Sequence, residues 1–227
     1  MMADIHPLLS FMSTDQARQW THSTTGARMT RTIGIFVFDD VEVLDFAGPY
    51  EVFTCATRVS ARLAPRTPAP FRVVTIGRHE AMLRARAGLS VFPEAQFDDG
   101  PAIDILIVPG GEVTAELDKP DVIRWIAGMA GQCELVASVC TGALLLAQAG
   151  LLNGRQATTH WADIAQLRAL FPQVRVCEER RWIDAGDIVT SGGISAGIDM
   201  SLHLVERLAG RALALETARQ MDYDWRE

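Results

Sequence analysis

The chain has 227 residues, of which 48% are hydrophobic and 22% charged, proportions that exclude a disordered or collagen-like polypeptide. At about one and a half average domain lengths, one large α/β domain is the expected organisation. A net charge of −7 lacks the basic footprint of a nucleic-acid binder, no apolar run approaches the roughly 20 residues of a membrane span, and four cysteines at this length do not make a secreted disulfide framework.

Met1–Thr30 shows no sustained period and lacks the basic start and cleavage pattern of a signal peptide. It is expected to be a poorly ordered tail or one tied down on a neighbour, and residues 31–227 a single domain in the cytoplasm. From Thr32 the chain becomes regular. Ile33–Phe38 reads as a buried strand, followed by helix from Gly48-Pro49 to about Ser60 and a loop marked by Pro65, Pro68 and Pro70. Phe71–Gly77 is a second strand, and Met82–Phe92, centred on Gly88, reads as a hairpin or two short edge strands. Ile103–Val108 is the strongest strand. A helix is predicted over Pro120–Ala130, a strand over Glu134–Val139, and a helix over Thr141–Ala149 closed by Gly150. Strands alternating with helices predict a mostly parallel twisted sheet covered by helices on both faces. No internal repeat and no second domain are visible.

Ala137-Ser-Val-Cys-Thr-Gly-Ala143 carries the strongest chemical signal. A buried strand turns abruptly into a helix with Cys140 on the corner. The turn crowds the positions two residues to either side, and Ser138 and Gly142 are small enough for it. This is the logic of a nucleophile elbow with cysteine in place of serine. A thiol at a helix N-terminus gains from the partial positive charge there, which favours the thiolate. Cys55, Cys133 and Cys177 have no such context and read as inert. Gly110-Gly111, closing the adjacent strand, either lets backbone amides approach a ligand or makes an ordinary turn. Both corners are placed at the carboxyl ends of parallel strands, where one cleft can collect them. Beyond the first strand, Asp45 lies between Leu44 and Phe46. It is either an acid held partly protonated by apolar neighbours or a plain helix cap.

Six segments occur in order: Leu44-Asp-Phe-Ala-Gly-Pro49, Val108-Pro-Gly-Gly111, Ser138-Val-Cys-Thr-Gly142, Ala149-Gly-Leu-Leu-Asn-Gly154, Ala157-Thr-Thr-His-Trp161 and Gly192-Gly-Ile-Ser-Ala-Gly-Ile-Asp199. From about Arg31 to Tyr223 the chain resembles the ThiJ/PfpI superfamily, related to class I glutamine amidotransferases, and within it the isocyanide hydratases. The resemblance implies a flavodoxin-like α/β fold, a homodimer, and hydration of an isonitrile to an N-substituted formamide without cofactor. It assigns Cys140 as nucleophile and Asp45 as proton carrier, with Thr141 as the threonine that follows the cysteine. Gly110, Gly111 and Gly142 fall at the backbone that binds substrate or oxyanion. Protease-like and glyoxalase-like members tend to carry histidine after the nucleophile, or glutamate in the first strand's loop. Thr141 and Asp45 count against that branch.

Under the expected scheme Cys140 attacks the terminal isonitrile carbon while Asp45 delivers a proton. The Asp45 carboxylate then activates water against the thioimidate. His160, twenty positions after Cys140, is the spare acid–base candidate; alternatively its segment is a strand end packing aromatic residues. Asp199, His203 and Glu206 recur at i, i+4 and i+7. Because Ile198, Leu202, Val205 and Ala209 form the complementary apolar stripe, the polar row reads as a solvated face rather than a metal site. Neither a Walker pattern nor G-x-G-x-x-G follows the first strand. Two rival functions stay open. One is a ligand-sensing domain like that of AraC-type regulators, whose helix-turn-helix pair has no room before Glu227. The other is glyoxalase or deglycase activity on small α-oxoaldehydes.

Overall fold

Buried apolar runs pair side by side into a seven-stranded sheet. The computed structural model describes residues 30–227, so the tail expected over Met1–Thr30 lies, except for Thr30, outside the described residues. The strands are β1 (Arg31–Phe36), β2 (Phe71–Gly77), β3 (Leu83–Arg84), β4 (Ser90–Val91), β5 (Ala95–Gln96), β6 (Ile105–Val108), β7 (Leu135–Val139), β8 (Gln156–Ala157), β9 (Arg175–Val176), β10 (Trp182–Asp184) and β11 (Ile188–Ser191). The helices are α1 (Val43–Leu63), α2 (Thr114–Leu117), α3 (Pro120–Ala130), α4 (Gly142–Gln148), α5 (Ile164–Leu170), α6 (Ala196–Ala209) and α7 (Arg211–Gln220). The sheet runs β10-β11-β7-β6-β1-β2-β5, parallel throughout except for β10 at one edge. Strands β6 and β7 are buried at every residue, as helices on both faces require. Helices α1, α6 and α7 pack on one another, and α2, α3 and α4 form a second group.

The chain leaves β1 for β2 on one side and returns to β6 on the other, so the order reverses at β1. In open α/β sheets the crevice at such a reversal is where ligands bind. Helix α1 departs from expectation, beginning at Val43 with Glu42 as N-cap and containing Pro49. The missing Pro49 N–H frees the Asp45 carbonyl, and Gly48, having no Cβ, avoids the clash that disfavours helix before proline. Asp45 is therefore in the first helical turn, not a cap. The predicted hairpin forms as β3 and β4, turning through Ala87 at φ 59° and Gly88 at φ 87°.

Candidate active site

Four adjacent parallel strands, β1, β6, β7 and β11, end at one edge of the sheet, and each delivers one part of the site. Strand β7 delivers Cys140, at φ 58° and only 7% exposed. A left-handed conformation at a non-glycine residue is strained and persists only where its surroundings enforce it. They do here: the Cys140 N–H reaches the Ser191 and Gly192 carbonyls at 3.2 and 3.1 Å, and the Thr159 hydroxyl donates to the Cys140 carbonyl at 2.8 Å. Gly142 is obligatory beneath the turn, because a Cβ would lie 2.1 Å from the Val108 carbonyl oxygen.

Strand β6 delivers Gly110 and Gly111. A Cβ on Gly110 would meet the Thr141 nitrogen at 2.5 Å, so the Cys140 corner and this turn touch through backbone. The expected use of these amides needs correction. The Gly110 N–H donates to Asp45 Oδ2 at 3.1 Å, and the Gly111 N–H donates to Thr141 Oγ1 at 2.9 Å. Thr141 Oγ1 in turn donates to the Gly111 carbonyl at 2.9 Å. Both amides thus bind side chains of the site rather than facing a ligand. The Thr141 hydroxyl fastens the two turns together, while its backbone N–H faces the Cys140 sulfur.

Beyond β1, Asp45 is fully buried beside Cys140. Oδ2 is anchored on Gly110, but Oδ1 has no formed hydrogen bond; the thiol and the Ile194 N–H are the groups near enough to act on the carboxyl. Burial, reinforced by the Glu42 charge, raises the Asp45 carboxyl from the ordinary 3.8 to about 7. Burial and the adjacent Asp45 push the Cys140 thiol up to about 12, so the thiolate favoured by the helix N-terminus alone is outweighed. The two groups titrate as a pair that holds one proton between those limits.

The last contribution, from beyond β11, was not assigned by the sequence reading. Ile194, at φ 49°, follows the Gly192 carbonyl that accepts from the Cys140 N–H, which brings its own N–H near enough to Asp45 and Cys140 to favour the charged form of each. The Gly192-Gly-Ile segment signals the turn, but nothing in its residue types announces an amide aimed at a thiol. His160 packs edge-on against Gly193, where a Cβ would lie 2.1 Å from its Cδ2. Its Nδ1 pairs with Asp163 at 3.0 Å, and no hydrogen bond joins it to Cys140. A cleft of about 490 Å³ shares Thr159, Gly192 and Gly193 with this framework, but neither Cys140 nor Asp45 lines it. The solvated reading of Asp199 is also wrong. It is fully buried, accepts from Arg181 Nε at 2.6 Å, and belongs to an ion pair rather than to an exposed row. Among the described residues no His/Cys/Asp/Glu group could hold a metal ion, and no helix is long and apolar enough to cross a membrane.

Comparison with known proteins gives consistent results. The model of the DJ-1/PfpI family matches residues 31–207. An isonitrile hydratase of Pseudomonas putida is 34% identical over 86% of this chain and 79% of that protein. The transcriptional regulator GbdR of Pseudomonas aeruginosa is 30% identical over 87% of this chain but only 52% of its own length. The chain thus spans about half of that regulator. A ThiJ/PfpI family protein from Pseudomonas syringae superposes with TM-score 0.78 at 24% identity, covering 100% of this chain and 84% of that one. DJ-1beta of Drosophila melanogaster superposes with TM-score 0.73 at 18% identity, covering 87% of this chain and 100% of its own. These two likenesses concern the fold.

Proposed function

The chain belongs to the DJ-1/PfpI family, and from that premise we propose that it is an isonitrile hydratase using Cys140 as nucleophile and Asp45 as acid and base. One observation carries the reading: a fully buried carboxyl, anchored through one oxygen on the Gly110 amide, keeps its other oxygen unpaired beside a thiol. An isonitrile carbon must receive both a nucleophile and a proton, and this pair holds one of each. Cys140 sulfur bonds to the terminal carbon while the proton shared with Asp45 passes to that carbon, giving the thioimidate R–N=CH–S–Cys. The Asp45 carboxylate then takes a proton from water as the hydroxyl adds to the same carbon, and passes that proton on to the nitrogen. Collapse breaks the carbon–sulfur bond, returns the proton to the pair and releases R–NH–CHO. Isonitrile and water are consumed in equal amounts, and no cofactor enters the balance. Each positioned acid–base group of this kind contributes roughly 10²–10⁴-fold. Similarity to the P. putida hydratase supports the substrate class.

The similarity to GbdR favours a second reading, a domain that binds a small molecule without converting it. Supplying aliphatic isonitriles and methylglyoxal in parallel, and following each by NMR, separates the possibilities. Formamide from the isonitriles alone supports the hydratase. Methylglyoxal loss without formamide supports the glyoxalase reading, and saturable binding without turnover supports the sensor.

A further inference from the structure

The Ile194 amide is the part of the site least secured by its own residue type. Its φ of 49° is unfavourable for a β-branched side chain, and the Ile194 side chain is exposed. Something beyond it must hold the turn. Immediately after it, Ser195 is gripped from two directions: Arg181 Nη2 donates to Ser195 Oγ at 3.4 Å, and the Tyr223 hydroxyl donates to the Ser195 carbonyl at 3.4 Å. One turn further along α6, Asp199 engages Arg181 again, together with two further residues of the C-terminal segment. Arg181 Nε donates to Asp199 Oδ2 at 2.6 Å, the Arg226 N–H donates to Oδ1 at 3.0 Å, and Trp225 Nε1 donates to the Asp199 carbonyl at 3.2 Å. Asp199 is fully buried, so its two oxygens are satisfied by a guanidinium and a backbone amide rather than by water. Arg181 also bonds back to the turn through its own carbonyl, which accepts from the Gly192 N–H at 2.8 Å.

We infer that Arg181, Asp199 and the C-terminal segment Tyr223–Arg226 form a clamp that fixes the Gly192–Ser195 turn and holds the Ile194 amide on the Cys140–Asp45 pair. This inference rests on the reading of Cys140 as the reactive group. Arg181 and Asp199 are positioning residues: they touch neither sulfur nor substrate and act through Ser195 and the turn. The clamp keeps in place a donor that favours the charged form of the sulfur. Loosening it makes the thiolate harder to form without altering Cys140 or Asp45. The ionisable group facing the sulfur is Asp45, and Glu42 acts on it in turn.

The test uses the full chain and the pH dependence of iodoacetamide alkylation at Cys140, read by mass spectrometry of its peptide, which requires no substrate. Arg181→Met keeps most of the side chain's packing but removes its donors. It is expected to slow alkylation at pH 8 by about tenfold, the scale of one hydrogen bond to a charged group, and to move the profile to higher pH. Arg181→Lys restores part of the rate. The control is Arg207→Met, which breaks the Arg207–Asp184 pair near the opposite end of α6. It is expected to leave the alkylation profile unchanged, whatever its effect on melting temperature. Should Arg181→Met not fold, Tyr223→Phe removes a single hydroxyl and is expected to shift the profile in the same direction. An unchanged profile in the folded Arg181 variant, or equal shifts in the Arg181 and Arg207 variants, overturns the clamp. So does an unchanged profile in Tyr223→Phe where that variant stands in. Absence of isonitrile turnover in the intact protein overturns the hydratase reading instead and leaves this readout standing.

Discussion

Replacing Asp45 by asparagine should stabilise the protein while crippling it. In the folded chain the carboxyl is protonated up to about pH 7, against an ordinary value of 3.8. Unfolding between those values releases a proton, so stability contributed by this group is complete below about pH 4 and falls as pH rises, by about 1.4 kcal/mol per pH unit. Above pH 7 the accumulated loss is on the order of 4 kcal/mol. Asparagine keeps an oxygen for the Gly110 amide and carries no charge to bury. Relative to the wild type, Asp45→Asn is expected to gain stability as pH rises from 5 to 8, approaching that figure at pH 8. For a domain of this size the gain corresponds to a melting-temperature difference of roughly 8–16 °C. The assay is thermal unfolding by circular dichroism of both proteins at pH 5 and pH 8, and taking the difference cancels the titrating groups that do not interact with Asp45. A variant no more stable than wild type at pH 8, or a difference independent of pH, would refute the reasoning that Asp45 is held protonated by burial.

Asp45→Asn should also lower kcat for an isonitrile by roughly 10²-fold or more, a loss that a residue contributing only helix structure would not cause. The acid limb of the wild-type kcat/KM profile is expected near pH 7, where the Cys140–Asp45 pair takes up its second proton; a profile flat from pH 5.5 to 8 contradicts the single-proton form. Gly193→Ala drives a methyl group into His160 and should cost roughly 1–3 kcal/mol. Adding His160→Ala should recover most of that loss in chemical denaturation, and His160→Ala alone should lower turnover less than tenfold. Light scattering at micromolar concentration is expected to give the mass of a homodimer, and a monomer contradicts it.

The repeating parts of the fold were legible because burial writes directly into sequence. Ile103–Val108 and Glu134–Val139 are short, mostly apolar runs that fit buried strands, and they form β6 and β7 within two residues of the expected bounds. Pro120–Ala130 has its proline at the first helical position and forms a helix over those residues. The end of β1 was less legible: Val37 and Phe38 stay buried after the strand stops at Phe36, and apolarity alone does not mark where strand pairing ceases. Pro49 misled in the other direction, because its cost within α1 is relieved by the glycine before it. Asp199 was misread from helical period, which locates a polar row but cannot see Arg181 arriving from β10's approach to bury one member of it. In the candidate site, Cys140 and Gly142 declared themselves through the steric demands of the elbow. The Gly110 and Gly111 amides and the Ile194 amide did not, since where a backbone N–H points depends on strands brought together across the sheet.

The proposed reaction adds water to an isonitrile through Cys140. It is tested most directly by incubating the protein with an aliphatic isonitrile in ¹⁸O-labelled water and weighing the product by mass spectrometry, with Cys140→Ala alongside. The intact protein is expected to release N-substituted formamide carrying one ¹⁸O, and Cys140→Ala only background. Equal formamide from both proteins, or none above background from the intact one across several isonitriles, would contradict it.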